Sequence, residues 1–484
     1  MSAVLRRFSL LLVSQGLAAA GQLAAGVVVA RSLGPEEFGH WSYALAYGSV
    51  VASVVDFGMS FSVLRDLSRR PEDTARYLGN VMAIKVALSL SAFLAIVALL
   101  PALGGGQAQW AVTLLLGAQV IFASFTTLMA TALYAREGMF LSAAVRGGQG
   151  MLLAGAVLLF SLAGPGLLPF AYVYAGVGAV GAVAAAALVV ARLPGVLPRV
   201  DPAFWRSYLR DLSPLAAAIV LTTVYYSADT LMLGLAGLDR EVGWYGAAYR
   251  TIYALLLLVG ALNQAFLPDQ SRALDGGGLR SPDSVRSYYQ LVWVLAVPVV
   301  VLGPIAGPQA MSLVYGAEYE GGARALQVLL LAGGLMFFSS FFSSLVLLAG
   351  RQREYLGGVA LGAGTNIALN LVLIPLYTLN GAAVATVVSE ALVMLWMRQR
   401  SRRLLPNATC QVAWLVPATG LLTGGAAVLL LLAGVPALLA VGAAFGMYGA
   451  VMLLSGQLRS MSLVTPSAPG SPATQDALLS RRAA

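Results

Sequence analysis

The chain predicts an all-α integral membrane protein of fourteen transmembrane helices. They form two six-helix lobes related by a pseudo-two-fold axis along the membrane normal, plus two extra C-terminal helices. Three observations lead there. The 484 residues are 59% hydrophobic and only 10% charged, whereas a soluble domain carries about a quarter charged residues. Apolar runs long enough to cross a bilayer recur along most of the chain. A short signature at Arg31 returns 204 residues later, at Leu235.

The first element follows Arg6 and Arg7 and runs from Phe8 to Ala30. Its basic flank and the small residues Ala18-Ala19-Ala20 imitate a secretory leader. Its length and the lack of a following soluble domain mark it instead as a first membrane helix. Further spans are expected near 40–63, 77–100, 110–134, 139–163, 170–191, 213–235, 243–267, 288–309, 324–348, 356–376, 381–397, 412–433 and 437–456. Turn residues separate them, among them Gly34-Pro35, Pro101 with Gly104-Gly105-Gly106, Gly164-Pro165-Gly166 and Gly276-Gly277-Gly278.

Arginine placement orients the array. With the N-terminus inside and loops assigned alternately, the inner segments hold 23 of the 29 Lys and Arg residues. Only Arg31, Arg240 and Arg324 fall outside, and Lys85, Arg146 and Arg250 lie within helices. A wrong span count would invert the sides midway and destroy this segregation. Both termini are therefore expected in the cytoplasm, and the net charge of +9 reflects topology rather than nucleic-acid binding.

The repeat pairs Arg31-Ser-Leu-Gly-Pro-Glu-Glu-Phe-Gly-His-Trp with Leu235-Ala-Gly-Leu-Asp-Arg-Glu-Val-Gly-Trp-Tyr. Each carries an acid, a hydrophobe, Gly39 or Gly243, then an aromatic. Six spans per repeat is even, so both halves enter the membrane alike, with a binding site expected between them. The sequence divides into an N-lobe at 1–210, a C-lobe at 211–405, helices 13 and 14 at 406–456 and a disordered tail at 457–484. Gly420-x-x-x-Gly424 and Gly442-x-x-x-Gly446 offer close helix packing in the last two spans.

Absences exclude several chemistries. Cys410 is the only cysteine, so no intramolecular disulfide forms. Lys85 is the only lysine and stands in no phosphate-loop motif; His40 is the only histidine, which excludes an HExxH zinc site. No enzyme activity and no cofactor are expected.

Four stretches carry a family likeness: Ala30-Arg31-Ser-Leu-Gly-Pro-Glu-Glu-Phe-Gly; Asp56-Phe57-Gly58 with Leu64-Arg65-Asp66-Leu67; Ser227-Ala-Asp229-Thr-Leu-Met-Leu-Gly234 leading to Val242-Gly-Trp-Tyr-Gly-Ala-Ala-Tyr-Arg250; and Asn370-Leu-Val-Leu-Ile-Pro375 leading to Asn380-Gly-Ala-Ala-Val-Ala-Thr with Ser389-Glu390. In order and spacing they resemble the oligosaccharide flippase (polysaccharide biosynthesis protein) family of the multidrug/oligosaccharidyl-lipid/polysaccharide exporter superfamily. The resemblance implies two lobes around a central cavity, alternating access, and a bacterial inner-membrane location. It implies a polyprenyl-pyrophosphate-linked oligosaccharide as substrate, with the polymerase and glycosyltransferases of the same pathway as partners. Peptidoglycan-precursor flippases and cation-coupled drug exporters share the architecture. A membrane glycosyltransferase or polymerase fits less well, because the outer loops are short.

Charges at membrane depth are costly, about 2.5–3.5 kcal/mol each on insertion scales, and so mark candidate sites. Asp229 and Arg250 lie about 7 and 8 residues from the same outer turn, and Asp56 and Lys85 flank the inner turn after span two similarly. Each couple either cancels its own charge or presents the cation to an anionic head group. Arg146 has no acid on the next helix; its fork of donors suits phosphate, or it snorkels to the inner interface, as Lys85 also could. Asn366 and Asn370 share a helix face and would meet sugar hydroxyls or bond a neighbouring helix. Glu390 lies near the midplane, either to take up a proton or sodium ion or as a hydrogen-bonded structural acid. The Phe337–Phe342 run reads as packing.

Overall fold

A computed structural model describes residues 3–69, 73–100, 106–137, 139–274, 281–404 and 414–455. The expected turns at 101–105 and 275–280, Arg70, Arg459, Arg481, Arg482, Cys410 and the 457–484 tail lie outside the described residues.

Among the described residues, every regular element is helical. They are α1 (Ala3–Asp56), α2 (Met59–Arg69), α3 (Thr74–Leu99), α4 (Gln107–Glu137), α5 (Met139–Ala163), α6 (Leu167–Arg192), α7 (Pro202–Leu235), α8 (Asp239–Leu274), α9 (Ser281–Val301), α10 (Gly303–Tyr315), a 3-10 turn (Ala317–Gly322), α11 (Ala323–Leu348), α12 (Gln352–Arg402), α13 (Leu415–Leu432) and α14 (Ala437–Leu454). Among the described residues, eleven helices are long and apolar enough to cross a membrane. A twelfth results if Val285–Val301 and Gly303–Tyr315, bent by 64° at their junction, form one span.

Two of these stretches are longer than a bilayer needs, and each is broken where the sequence reading placed a turn. Gly34 interrupts α1 with φ 75° and ψ 172°. Pro35 disfavours helical backbone in the residue before it, and glycine accepts the positive φ. Thr378 interrupts α12 with φ 50° and ψ −130°. Both breaks fold the chain back with no loop to speak of. The helix starting at Pro202 is fixed differently, by Asp201, whose Oδ1 accepts from the Ala203 and Phe204 amides at 3.2 Å. The other oxygen accepts from Arg76 at 2.9 Å, tying the start of α7 to α3.

That Arg76 hydrogen bond, with the Phe204 amide next, holds the Asp201 carboxyl below the ordinary carboxylate range. A lowered folded-state value means this stabilisation is present above the unfolded value and is lost as pH falls through the folded one. Asp201→Asn keeps the cap but not the charge. It is therefore expected to flatten the acid limb of a thermal-midpoint-versus-pH curve for the detergent-solubilised protein.

The two chain halves meet most closely where α1 crosses α8. A Cβ on Gly39 would overlap the Asp239 carbonyl, and a Cβ on Gly243 would overlap the Pro35 carbonyl. The offset of 204 carries Pro35 to Asp239 and Gly39 to Gly243, so this contact is reciprocal. Trp41 and Tyr245, also 204 apart, are both fully buried beside it. Around the crossing, one apolar cluster joins residues of α1, α4, α5, α6, α8, α11 and α12. Phe337, Phe341 and Phe342 are buried in a second cluster with Tyr288 and Tyr289, which agrees with a packing role. Gly420 and Gly424 of α13 receive Val297 and Val301 of α9, whereas Gly442 and Gly446 of α14 have open space beside them.

Candidate functional site

Asp229 sits on α7 less than two turns from its C-terminal end, enclosed on every side and 2% exposed. Four neutral donors surround its carboxylate. Asn366 Nδ2 donates to Oδ1 at 2.9 Å and Asn370 Nδ2 to the same oxygen at 2.5 Å. Thr386 Oγ1 approaches Oδ2 at 2.5 Å, and the Tyr245 hydroxyl donates to Oδ2 as well. The fold-back at Thr378 makes this possible, because it sets Asn366 and Asn370 on the first half of α12 beside Thr386 on the second. Asn370 also donates to Asn366 Oδ1 at 3.0 Å. Its own Oδ1 is buried with no hydrogen-bond partner.

The pairing of Asp229 with Arg250 that matched depth suggested does not form. Tyr245, not Arg250, is the α8 residue that reaches Asp229. Five residues on, Arg250 lies about 140° further round the helix. Its guanidinium instead lies 5.0 Å over the Phe38 ring and occupies the space that Gly26 leaves on α1. Arg250 is half-buried, inward of the Gly39–Gly243 crossing. Among the described residues it makes no ion pair.

The other couple does form. Lys85 Nζ donates to Asp56 Oδ1 at 2.8 Å, with the lysine side chain fully enclosed. Ser60 donates to the same carboxylate at 2.7 Å. Arg146, on α5, is half-buried and donates through Nη2 to Thr131 Oγ1 of α4 at 3.0 Å. Its Nε is buried without a partner. Among the described residues it has no acidic neighbour, as expected. Glu390 is 1% exposed and is also held by neutral groups. Tyr225 donates to its Oε1 at 2.9 Å and Ser339 to its Oε2 at 3.1 Å.

Of the three acids and three bases at membrane depth, only Asp56 and Lys85 cancel. Arg146 and Arg250 keep uncompensated positive charge, and Asp229 and Glu390 are ringed by amides and hydroxyls rather than cations. Asp229, Asn366 and Asn370 were each legible as candidates, but their convergence was not. Tyr245 and Thr386 escaped notice, although both lie in the quoted family stretches. Tyr225 and Ser339 had no signal beyond being polar in apolar helices.

The groups around the Asp229 carboxylate are two amides and two hydroxyls, with the Ala382 carbonyl 3.0 Å from Thr386 Oγ1. In this arrangement the four groups present hydrogens to the carboxylate; only with their oxygens turned inward would the set suit a hard cation. Amide orientation follows from the hydrogen-bond network, so turning Asn370 or Asn366 would direct further oxygen inward. No group of three or more His, Cys, Asp or Glu that could hold a metal occurs among the described residues.

Comparison with known proteins places this geometry. Residues 4–273 match the family model of polysaccharide biosynthesis proteins. No curated protein matches the chain significantly by sequence. The fold is similar to that of the lipid II flippase MurJ in an inward closed conformation, with a TM-score of 0.73 at 12% identity, covering 93% of this chain and 99% of that one. It is also similar to an inward-facing multidrug resistance MATE family transporter of the MOP superfamily. That match has a TM-score of 0.65 at 16% identity and covers 81% and 96% of the two chains. A MOP superfamily transporter from Pyrococcus furiosus, described for the reverse polarity of its binding pocket, matches with a TM-score of 0.57 at 17% identity over 83% and 96%. At these identities the solved structures establish fold alone.

Proposed function

The chain belongs to the polysaccharide biosynthesis protein family, and on that premise we propose that it is a flippase for a polyprenyl-pyrophosphate-linked oligosaccharide. It carries an O-antigen, capsule or exopolysaccharide unit from the inner to the outer leaflet by alternating access. In this reading the chain crosses a bacterial inner membrane fourteen times, with the breaks at Gly34 and Thr378 as turns. Two six-helix lobes flank the substrate route, and both termini face the cytoplasm.

One observation carries the proposal: Arg146 and Arg250 are guanidiniums at membrane depth without an acid to neutralise them. Bidentate donors of this kind suit phosphate oxygens. Arg146 meets the pyrophosphate on the N-lobe, and Arg250 meets it where the lobes converge below the α1–α8 crossing. Lys85 and Asp56 neutralise each other and serve the fold. Asp229, with Asn366, Asn370 and Thr386, binds the coupling cation whose gradient drives the cycle. An exporter of cationic drugs would need its uncompensated acids on the substrate route. Here the carboxylates lie enclosed among the C-lobe helices, which favours an anionic substrate.

The test is made in a bacterium whose surface glycan depends on this chain. Arg146→Ala is expected to abolish glycan assembly, while Arg146→Lys keeps the charge but not the fork and retains part. Undiminished glycan in Arg146→Ala removes the residue from the substrate route.

A further inference from the structure

Below Asp229 lies a second polar feature that substrate binding leaves unexplained. Glu390 lines a cavity of about 130 Å³ within the C-terminal half, between α7, α8, α11 and the two halves of α12. Hydroxyls dominate its polar wall: Thr222, Tyr225, Tyr226, Ser339, Ser340, Ser343 and Tyr355. Lipid-facing or packing space has no need of seven hydroxyls, each of which costs free energy to desolvate without a partner.

The cavity has a direction. Glu390 follows Thr386 by one helical turn on α12, and Tyr225 precedes Asp229 by one turn on α7. The carboxylate of Glu390 is therefore stacked about one turn, roughly 6 Å, from the Asp229 cradle along both helices. At the other end, Tyr355 stands in the first turns of α12. There Glu354 pairs with Arg351 at 3.2 Å and lies 3.9 Å from Arg400. These arginines belong to the basic ends of the helices, the side that arginine placement assigns to the cytoplasm. Hydroxyls thus run from the basic surface to Glu390, and Glu390 adjoins Asp229.

We propose that Glu390 is a second cation site and that the hydroxyl-lined cavity is the route by which the coupling ion passes between Asp229 and the inner side. The ion then leaves through the interior of the C-lobe and not through the substrate route between the lobes. Both Glu390 oxygens are held by rotatable hydroxyls, those of Tyr225 and Ser339. A hydroxyl turns its lone pairs to a sodium ion or hands on a proton without a change in backbone, so the site accepts either monovalent cation. The titratable groups facing Glu390 are the phenols of Tyr225 and Tyr226 from α7 and of Tyr355 from α12; α11 contributes only serine hydroxyls. No base faces it, so a bound cation has no competitor there.

The inference rests on the reading of Asp229 as an ion site, and the two are separated by one experiment. The full chain is reconstituted in vesicles, and bound radioactive sodium and its exchange rate are measured. Exchange is then repeated with a pH gradient and no sodium. Glu390→Gln is expected to lower the number of ions bound at saturation. Ser343→Leu, which fills the cavity away from both carboxylates, is expected to slow exchange about tenfold or more while saturation binding stays. If protons are the ion, the same two variants slow dissipation of the pH gradient instead. Wild-type binding in Glu390→Gln together with wild-type exchange in Ser343→Leu overturns the route. Wild-type binding in Asp229→Asn overturns the ion reading of Asp229 and with it the route from Asp229, whereas reduced binding in Glu390→Gln alone keeps Glu390 as an ion site. Conduction of neither ion by the unmodified chain overturns both.

Discussion

Gly243→Leu is expected to abolish transport by forcing α1 and α8 apart. Any side chain at this position meets the Pro35 carbonyl and approaches the Gly39 amide, which are backbone and cannot swing aside. Overpacking of this kind typically costs about 1–3 kcal/mol even where side chains can adjust, and here they cannot. Because the crossing joins the two halves on the side of the Gly34 break, its loss removes closure of that side. A disulfide reports it directly. His40 Nδ1 lies 3.5 Å from Asp239 Oδ1 across the crossing. Cysteines in place of His40 and Asp239 should cross-link in the otherwise unmodified chain and fail to do so when Gly243→Leu is added. Efficient cross-linking and transport in that triple variant would show that the crossing accommodates the leucine and still closes, contrary to this account.

The second large effect is expected at Asp229. Asp229→Asn preserves shape but removes the only charge in the cradle, so cation affinity should fall by about 100-fold or more. Gradient-driven transport should be lost while the folded protein is still recovered from the membrane. Asp229→Leu is the harsher change. It strands the Tyr245, Thr386, Asn366 and Asn370 donors, each at about 1–3 kcal/mol if left unpaired, and is expected to reduce the yield of folded protein as well. Thr386→Val, which removes one ligand without touching the charge, should give an intermediate loss of affinity. Equal sodium and proton dependence in Asp229→Asn and the unmodified chain would assign the cradle to structure alone.

Much of this architecture was legible because membrane helices announce themselves by length and composition. The fold-backs followed from Gly34-Pro35, where the residue types dictate the break. Thr378 carries no such signal, and only the spacing of the flanking apolar runs placed that turn. The repeat was short, yet its two glycines proved to be the points of closest backbone approach, because only glycine permits it. Depth along the axis, counted in residues, identified the Asp56–Lys85 pair correctly. The same count misled for Asp229 and Arg250, since depth says nothing about the angle around a helix. Tyr245 takes the direction that Arg250 would have needed. The convergence of Asn366, Asn370 and Thr386 on Asp229 depends on how two halves of α12 fold back beside α7. A linear reading could name those residues but could not bring them together.

On the proposed reading, the arrangement separates charge by task. Positive charge without a counter-ion stands at Arg146 and at Arg250, and negative charge without a counter-ion is enclosed among the C-terminal helices. A lipid-linked pyrophosphate and a driving cation need opposite sites of this kind, placed apart so that neither neutralises the other. Binding of each can then bias the same equilibrium between two lobe arrangements, which is what coupling requires.

The most direct measurement follows the substrate itself. Purified chain is placed in vesicles carrying a polyprenyl-pyrophosphate oligosaccharide, and the fraction of glycan reached by an external glycosidase is recorded over time under an imposed sodium or proton gradient. The account expects transfer well above protein-free vesicles, dependent on the gradient, and reduced to the protein-free rate by Arg146→Ala. Glycan transfer no faster than in protein-free vesicles, with a cationic dye carried down the same gradient, would contradict it.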